Sequence, residues 1–219
     1  MIKLYRPVGL KEMELILNKE CKGFPSRLPT QPYFYPVLNC DYAKQIASKW
    51  NTVDKGSGFV GYVTEFSVDE KYIEKYQIHT VGAALHNELW VPADELVIFN
   101  QNIIGDIMIS QAYYGKDYVG LTPLPTILRD KGINEQLLTL KSLMNYNIMD
   151  FRCEVALQWK IIILNIILWF KKDMSSSGLC TQEKKELLNR IYSVLVDDKK
   201  NYVSFSKHKL TSENSLNQL

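Results

Sequence analysis

A chain of 219 residues with 46% hydrophobic and 23% charged side chains is long enough to bury roughly 70% of its unfolded surface without a metal or disulfide staple. That composition excludes a disordered chain, a collagen and a coiled-coil rod. The formal charge is only +2, so no whole-molecule field draws in nucleic acid.

The chain opens on an apolar, extended run, Ile2–Pro7, and then a helix over residues 9–20 with Leu10, Met13, Leu15, Ile16 and Leu17 largely on one side. Three prolines in residues 23–32 exclude regular structure there. Tyr33–Leu38 is aromatic and β-prone. Asn39 or Asp41 then caps a helix with Tyr42, Ile46 and Trp50 in phase. A turn-rich loop at residues 51–58 leads into Phe59–Val68, where Val60, Tyr62, Thr64 and Phe66 alternate with their neighbours as a strand does. Short elements follow: a helix in residues 69–75, strands at Gln77–Val81 and Glu88–Val91, one or two helical turns at Ala93–Asn100, and a β-rich run at Ile103–Ser110. Residues 111–132, rich in Tyr, Gly and Pro, read as loop.

Beyond that the texture becomes helical, over residues 133–148, 150–173 and 181–197, with a break at 175–178 and a polar end from about residue 204. The apolar run at 155–170 is shorter than the ~20 residues a membrane span needs and contains Gln158, Lys160 and Asn165. It reads as a buried helix or as a surface for an oligomer or a partner. The expected organisation is α+β: a mixed module over residues 1–112, a connecting loop over 113–132, a helical extension over 133–203 and a flexible tail over 204–219.

Charge is unevenly spread. Residues 1–130 hold 13 basic and 15 acidic side chains, whereas 131–219 hold 13 and 9, so the basic surplus lies in the last third. Only five cations are Arg, namely Arg6, Arg27, Arg129, Arg152 and Arg190. Each merits inspection because Arg offers a bidentate fork that Lys lacks. The cysteines, Cys21, Cys40, Cys153 and Cys180, form no CxxC pair and no zinc-ligand spacing with His. They read as reduced, mostly buried thiols, and no metal site is expected. The N-terminal residues contain no apolar signal region, so a cytoplasmic location is expected.

Three stretches carry candidate chemistry. In Leu4-Tyr5-Arg6-Pro7 a cation ends a strand, suited to gripping a phosphate or carboxylate. In Tyr33-Phe34-Tyr35 three consecutive aromatics cannot all face one side of a strand, so at least one offers a ring face or hydroxyl to a planar ligand. In His86-Asn87-Glu88-Leu89-Trp90 a carboxylate sits within an apolar strand, with His86 on its own side. His79 and His208 read as structural or solvated. No nucleophile elbow, phosphate-binding glycine loop or dinucleotide fingerprint is present. An Arg, an aromatic platform and a strand carboxylate suit cleavage of a charged N-glycosidic bond, whose transition state is an oxocarbenium-like cation that a carboxylate stabilises.

The order of these motifs resembles the ADP-ribosyltransferase superfamily: a first-strand Arg, a second-strand aromatic followed by a helix, and a third-strand Glu. Leu4-Tyr5-Arg6 resembles the first motif, Phe34-Tyr35-Pro36-Val37-Leu38 with Ala43 and Trp50 the second, and His86-Asn87-Glu88 the third. The likeness is nearest to small bacterial proteins with runs like LYRPVGL, FYPVLN and ELWVP, found here at 4–10, 34–39 and 88–92. It covers about residues 1–112. It implies a split mixed β-sheet, NAD as co-substrate, and ADP-ribosyl transfer to a protein or nucleic-acid acceptor. By the resemblance, Arg6, next to Tyr5, would hold the dinucleotide's phosphates or adenosine ribose. Tyr35, next to Phe34, would border the nicotinamide, and Glu88 would be catalytic. His86 would select the acceptor, at a place where the family often carries Glu or Gln. A non-catalytic nucleotide- or protein-binding module with the same fold is the alternative.

Overall fold

The computed structural model describes residues 1–83 and 85–204; the expected tail from residue 205 on, with His208, lies outside the described residues. The architecture is α+β, and the chain divides into two units, Met1–Tyr118 and the remainder from Val119. The first unit therefore runs past residue 112. Its last strand continues to Tyr114, and Tyr118 is anchored where its hydroxyl meets that of buried Tyr62 at 3.2 Å. The loop thereafter is no free connector, because its backbone is bonded into the helical unit.

The first unit is built on an antiparallel sheet of β1 (Ile2–Val8), β3 (Val60–Val68) and β7 (Ile103–Tyr114), in the order β1-β3-β7. Helix α1 (Leu10–Asn18) buries Met13, Ile16 and Leu17. The aromatic segment becomes a short strand, β2 (Tyr33–Phe34), paired with β6 (Val91–Pro92). The hairpin of β4 (Ile78–Thr80) and β5 (Asn87–Leu89) is its neighbour. Between β5 and β1 stands one residue, Val37, bridged to Tyr5 on one side and to Glu88 on the other. The register is constant along this ladder: Tyr33 meets Pro92, Phe34 meets Val91, and Val37 meets Glu88, so Tyr35 stands opposite Trp90. Pro36 has no N–H to give. Its carbonyl still accepts from Leu89 N at 2.9 Å, and the ladder is interrupted there.

Helix α2 (Cys40–Ile46) starts as its cap predicts: the Asn39 side chain accepts from Asp41 N at 2.7 Å. It does not continue in phase to Trp50. Ala47–Asn51 forms a π-helical turn, which rotates Trp50 outward to 51% exposure. The turn presses on β3 at Gly61, where any Cβ would overlap the Ala47 backbone. The remaining helices of this unit are short, α3 (Glu70–Ile73) and α4 (Leu96–Gln101).

The second unit comprises α5 (Ile133–Tyr146), α6 (Ile148–Leu157), α7 (Trp159–Lys171) and α8 (Thr181–Asp197). Residues 150–173 are thus two helices rather than one, bent by 99° at Gln158. The Gln158 side chain is buried and bonds the loop, donating to Leu124 O and Thr126 Oγ1 and accepting from Leu124 N. Among the described residues no single helix is long and apolar enough to cross a membrane; α6 and α7 would suffice only together. Side chains 161–167 and Trp169 are buried in α7, so the run at 155–170 forms core. The docking surface expected there is mostly covered by its own unit. Only Cys21 of the four free thiols is buried, while Cys153 and Cys180 are exposed, which corrects the expectation of mostly buried cysteines.

Gly61→Ala is expected to lower the unfolding free energy by roughly 1–3 kcal/mol through overpacking against a backbone that cannot rotate away. Urea denaturation checks this, and an unchanged midpoint would contradict the close approach.

Candidate functional site

Alternation along the ladder sorts the predicted site residues onto two faces. Leu4, Arg6 and Phe34 point into the core beneath α1, where the Phe34 ring meets Phe24 at 4.7 Å and Phe99 at 5.3 Å. Tyr5 packs on the opposite face with Val37, Tyr42, Ala43, Ala47 and Val63. Glu88, the ladder partner of Val37, shares that face with Tyr5.

Arg6 has a local cause for its placement. Continuing the register of β1 with Val37 would set Pro7 opposite Tyr35, and proline has no N–H to donate. Arg6 makes good the loss: its Nη1 donates to the Tyr35 carbonyl at 3.1 Å. The rest of its fork grips Glu12 of α1, Nε to Oε1 at 2.7 Å and Nη2 to Oε2 at 3.1 Å. The guanidinium lies 4.7 Å over the Phe34 ring, a cation–π contact. Arg6 is therefore buried and engaged within the fold. The structure does not bring it to the same face as Glu88.

Glu88 and Tyr35 do meet, through Trp90. The indole Nε1 donates to Glu88 Oε1 at 2.8 Å. Its ring lies 5.5 Å from Tyr33, 5.9 Å from Tyr35 and 4.2 Å from His79, which is stacked on it. His79 stands opposite Glu88 in the hairpin, so the histidine that has no acidic neighbour in sequence has one across the strands. Among the described residues the hydroxyls of Tyr33 and Tyr35 carry no hydrogen bond, and Trp90 is 37% exposed. The result is a half-exposed carboxylate beside four rings.

His86 makes its contacts outside this group. It stacks on Tyr42 at 4.1 Å, and its Nε2 faces Gln45 Oε1 at 3.2 Å. Its Nδ1 lies 3.0 Å from the Val81 carbonyl; a carbonyl only accepts, so Nδ1 is the donor. The ring ties the β4–β5 connection to α2, a positioning task. Burial first, and the Glu88 charge second, push the Tyr42 hydroxyl pKa up from its ordinary value.

Sequence gives Trp90, His79 and Glu12 no role at the site, and Tyr33 only a share in the aromatic platform. Trp90 was legible, two residues beyond Glu88 and on its face; His79 and Glu12 required the register and the helix position. A carboxylate hydrogen-bonded to an indole and flanked by aromatic rings can accept a cationic planar ring by stacking and can stabilise a positive charge developing next to it. Among the described residues no group of His, Cys, Asp and Glu is arranged to hold a metal ion. No family model, curated protein or solved structure matches the chain.

Glu12→Gln is expected to destabilise the fold by about 2 kcal/mol, because Arg6 and Arg27 would then lie nearly buried without a counter-charge. Glu14→Gln, which breaks the exposed pair with Lys11, should cost under about 1 kcal/mol. Thermal unfolding of the two variants provides the comparison, and equal losses would contradict it.

Proposed function

We propose that the first unit is an NAD-dependent ADP-ribosyltransferase with Glu88 as its catalytic carboxylate. The observation that carries this reading is the meeting of the second and third motifs at Trp90, which brings Tyr35 and Glu88 to one aromatic face. In the proposed reaction the pyridinium ring of NAD stacks on Tyr35 and Trp90. The bond from the ribose carbon to the nicotinamide nitrogen breaks, its electron pair stays with the nitrogen, and nicotinamide leaves neutral, so no strong general acid is required. Glu88 stabilises the oxocarbenium-like cation, and a macromolecular acceptor, protein or nucleic acid, supplies the nucleophile and loses a proton.

Arg6 has a different role from the one the resemblance implies. It is a positioning residue, fixing the Tyr35 backbone and α1 through the contacts described above. The placement of Arg6 and Glu88 on opposite faces favours a second reading, the non-catalytic module, here as one that binds a nucleotide without turnover.

Incubation with labelled NAD and cell lysate decides between them. Wild-type protein should release nicotinamide and label an acceptor, and Glu88→Ala should reduce both by about 10²-fold or more. NAD binding with no nicotinamide release, and no difference on Glu88→Ala, would leave the binding module; no binding at all would refute both.

A further inference from the structure

Glu12 is shared by two arginines. Arg6 takes both of its oxygens in bidentate hydrogen bonds, while Arg27 approaches only to 3.6 Å, Nη1 to Oε1. Two guanidiniums and one carboxylate leave an excess positive charge in a place where the side chains of Arg6 and Arg27 are only 9% and 10% exposed. Arg27 makes one hydrogen bond among the described residues, from Nε to the Tyr33 carbonyl at 3.2 Å. Its two terminal nitrogens have no hydrogen-bond acceptor there. Neither is fully shut off from solvent, so both are open to a ligand, and an oxyanion suits them best because it answers both the donors and the charge. Burial first, and the adjacent positive charge of Arg6 second, lower the Arg27 pKa from its ordinary value, and the Glu12 carboxylate that it shares with Arg6 offsets only part of this.

The position fits a ligand of mixed charge. Arg27 is bonded to the backbone of Tyr33 and lies within electrostatic range of the Tyr35 phenol. Both rings belong to the group around Trp90, which holds Glu88. A cation-accepting end and an anion-accepting end are thus joined by one aromatic face. We infer that Arg27, rather than Arg6, binds the diphosphate of a dinucleotide whose cationic ring lies against Trp90 and Tyr35. The inference rests on the reading of that face as a nucleotide site.

Calorimetric titration with NAD, with ADP-ribose, with nicotinamide riboside and with inorganic diphosphate tests it on wild type, Arg27→Gln and Arg27→Lys. Arg27→Gln should weaken NAD and ADP-ribose by roughly 10- to 100-fold, the worth of a charge-assisted pair, and leave the riboside, which has no phosphate, unchanged. Arg27→Lys should fall between, since it keeps the charge and loses the fork. Unchanged ADP-ribose affinity in the Gln variant would overturn the inference, as would an equal loss for all ligands, which marks a structural role through Tyr33. If the Gln variant does not fold, wild-type affinity for ADP-ribose in the Lys variant overturns it. Arg27-dependent binding of ADP-ribose or inorganic diphosphate without any NAD turnover would sink the transferase reading and leave this one standing. Turnover that is indifferent to Arg27 would do the reverse, and a wild type that binds none of the four ligands would end both.

Discussion

The first unit depends on how one carbonyl is satisfied. Val37 exchanges both backbone hydrogen bonds with Tyr5, at 2.8 and 2.9 Å, and thereby seams the β4–β5 hairpin to the main sheet. Two residues on, the same ladder would need an N–H from Pro7, which has none. A buried carbonyl left without a donor costs free energy on the scale of a lost hydrogen bond, so the fold supplies a side chain where the backbone fails. Arg6 is next to the proline that creates the need, and its long fork reaches round to Tyr35. A donor to that carbonyl that is also a cation requires a counter-charge when buried, and Glu12, in the first turn of α1, provides it. The helix, the aromatic segment and the strand are thus locked by a single guanidinium. Arg27 repeats the device one step along, at the Tyr33 carbonyl, without a carboxylate of its own.

This constraint also explains why the aromatic face is available. With the carbonyls of Tyr33 and Tyr35 answered by the two arginines, their rings are left to pack on Trp90. Cross-strand pairing sets Tyr35 against Trp90 and Val37 against Glu88, and i, i+2 spacing puts Tyr33, Tyr35, Trp90 and Glu88 on one side. A polar carboxylate in a strand flanked by Leu89 and Val91, both buried on the core side, is tolerated because it faces outward and accepts the indole N–H. The segment's fixed alternation keeps Glu88 and Arg6 on opposite sides, so one small ligand cannot rest between them.

Much of the local structure was legible in the sequence: the strand at Val60–Val68, the Asn39 cap and the helices at both ends each carry a periodic or capping signal. The division of Tyr33-Phe34-Tyr35 between two faces follows from alternation alone. What sequence did not yield was relational. That His79 faces Glu88 depends on the hairpin register, and that Arg6 is consumed by Glu12 depends on where α1 docks. The rotation of Trp50 depends on a π-turn that no residue type announces, though Gly61, the residue the turn needs opposite it, was visible. Tyr114 and Tyr118 belong to the first unit through a buried aromatic contact with Tyr62, and a loop-like composition conceals that.

The run at 155–170 shows how amides can decide what hydropathy leaves open. An apolar helix is equally consistent with a core, an interface or a membrane surface when only its mean hydropathy is known. Gln158 and Asn165 break the tie, because both are almost fully buried and a buried amide must find partners. Asn165 donates to Gln136 of α5, and Gln158 to the segment at 124–126. Lys184 of α8 donates to the carbonyls of Phe170 and Lys172 at the end of α7, where a cation is favoured by the helix dipole. Those bonds require protein on several sides of α7, and a helix so surrounded cannot also present that face to a partner. The second unit consequently owes its apolar run to its own core, and any role it has in binding must come from the polar and exposed surfaces of α5, α6 and α8.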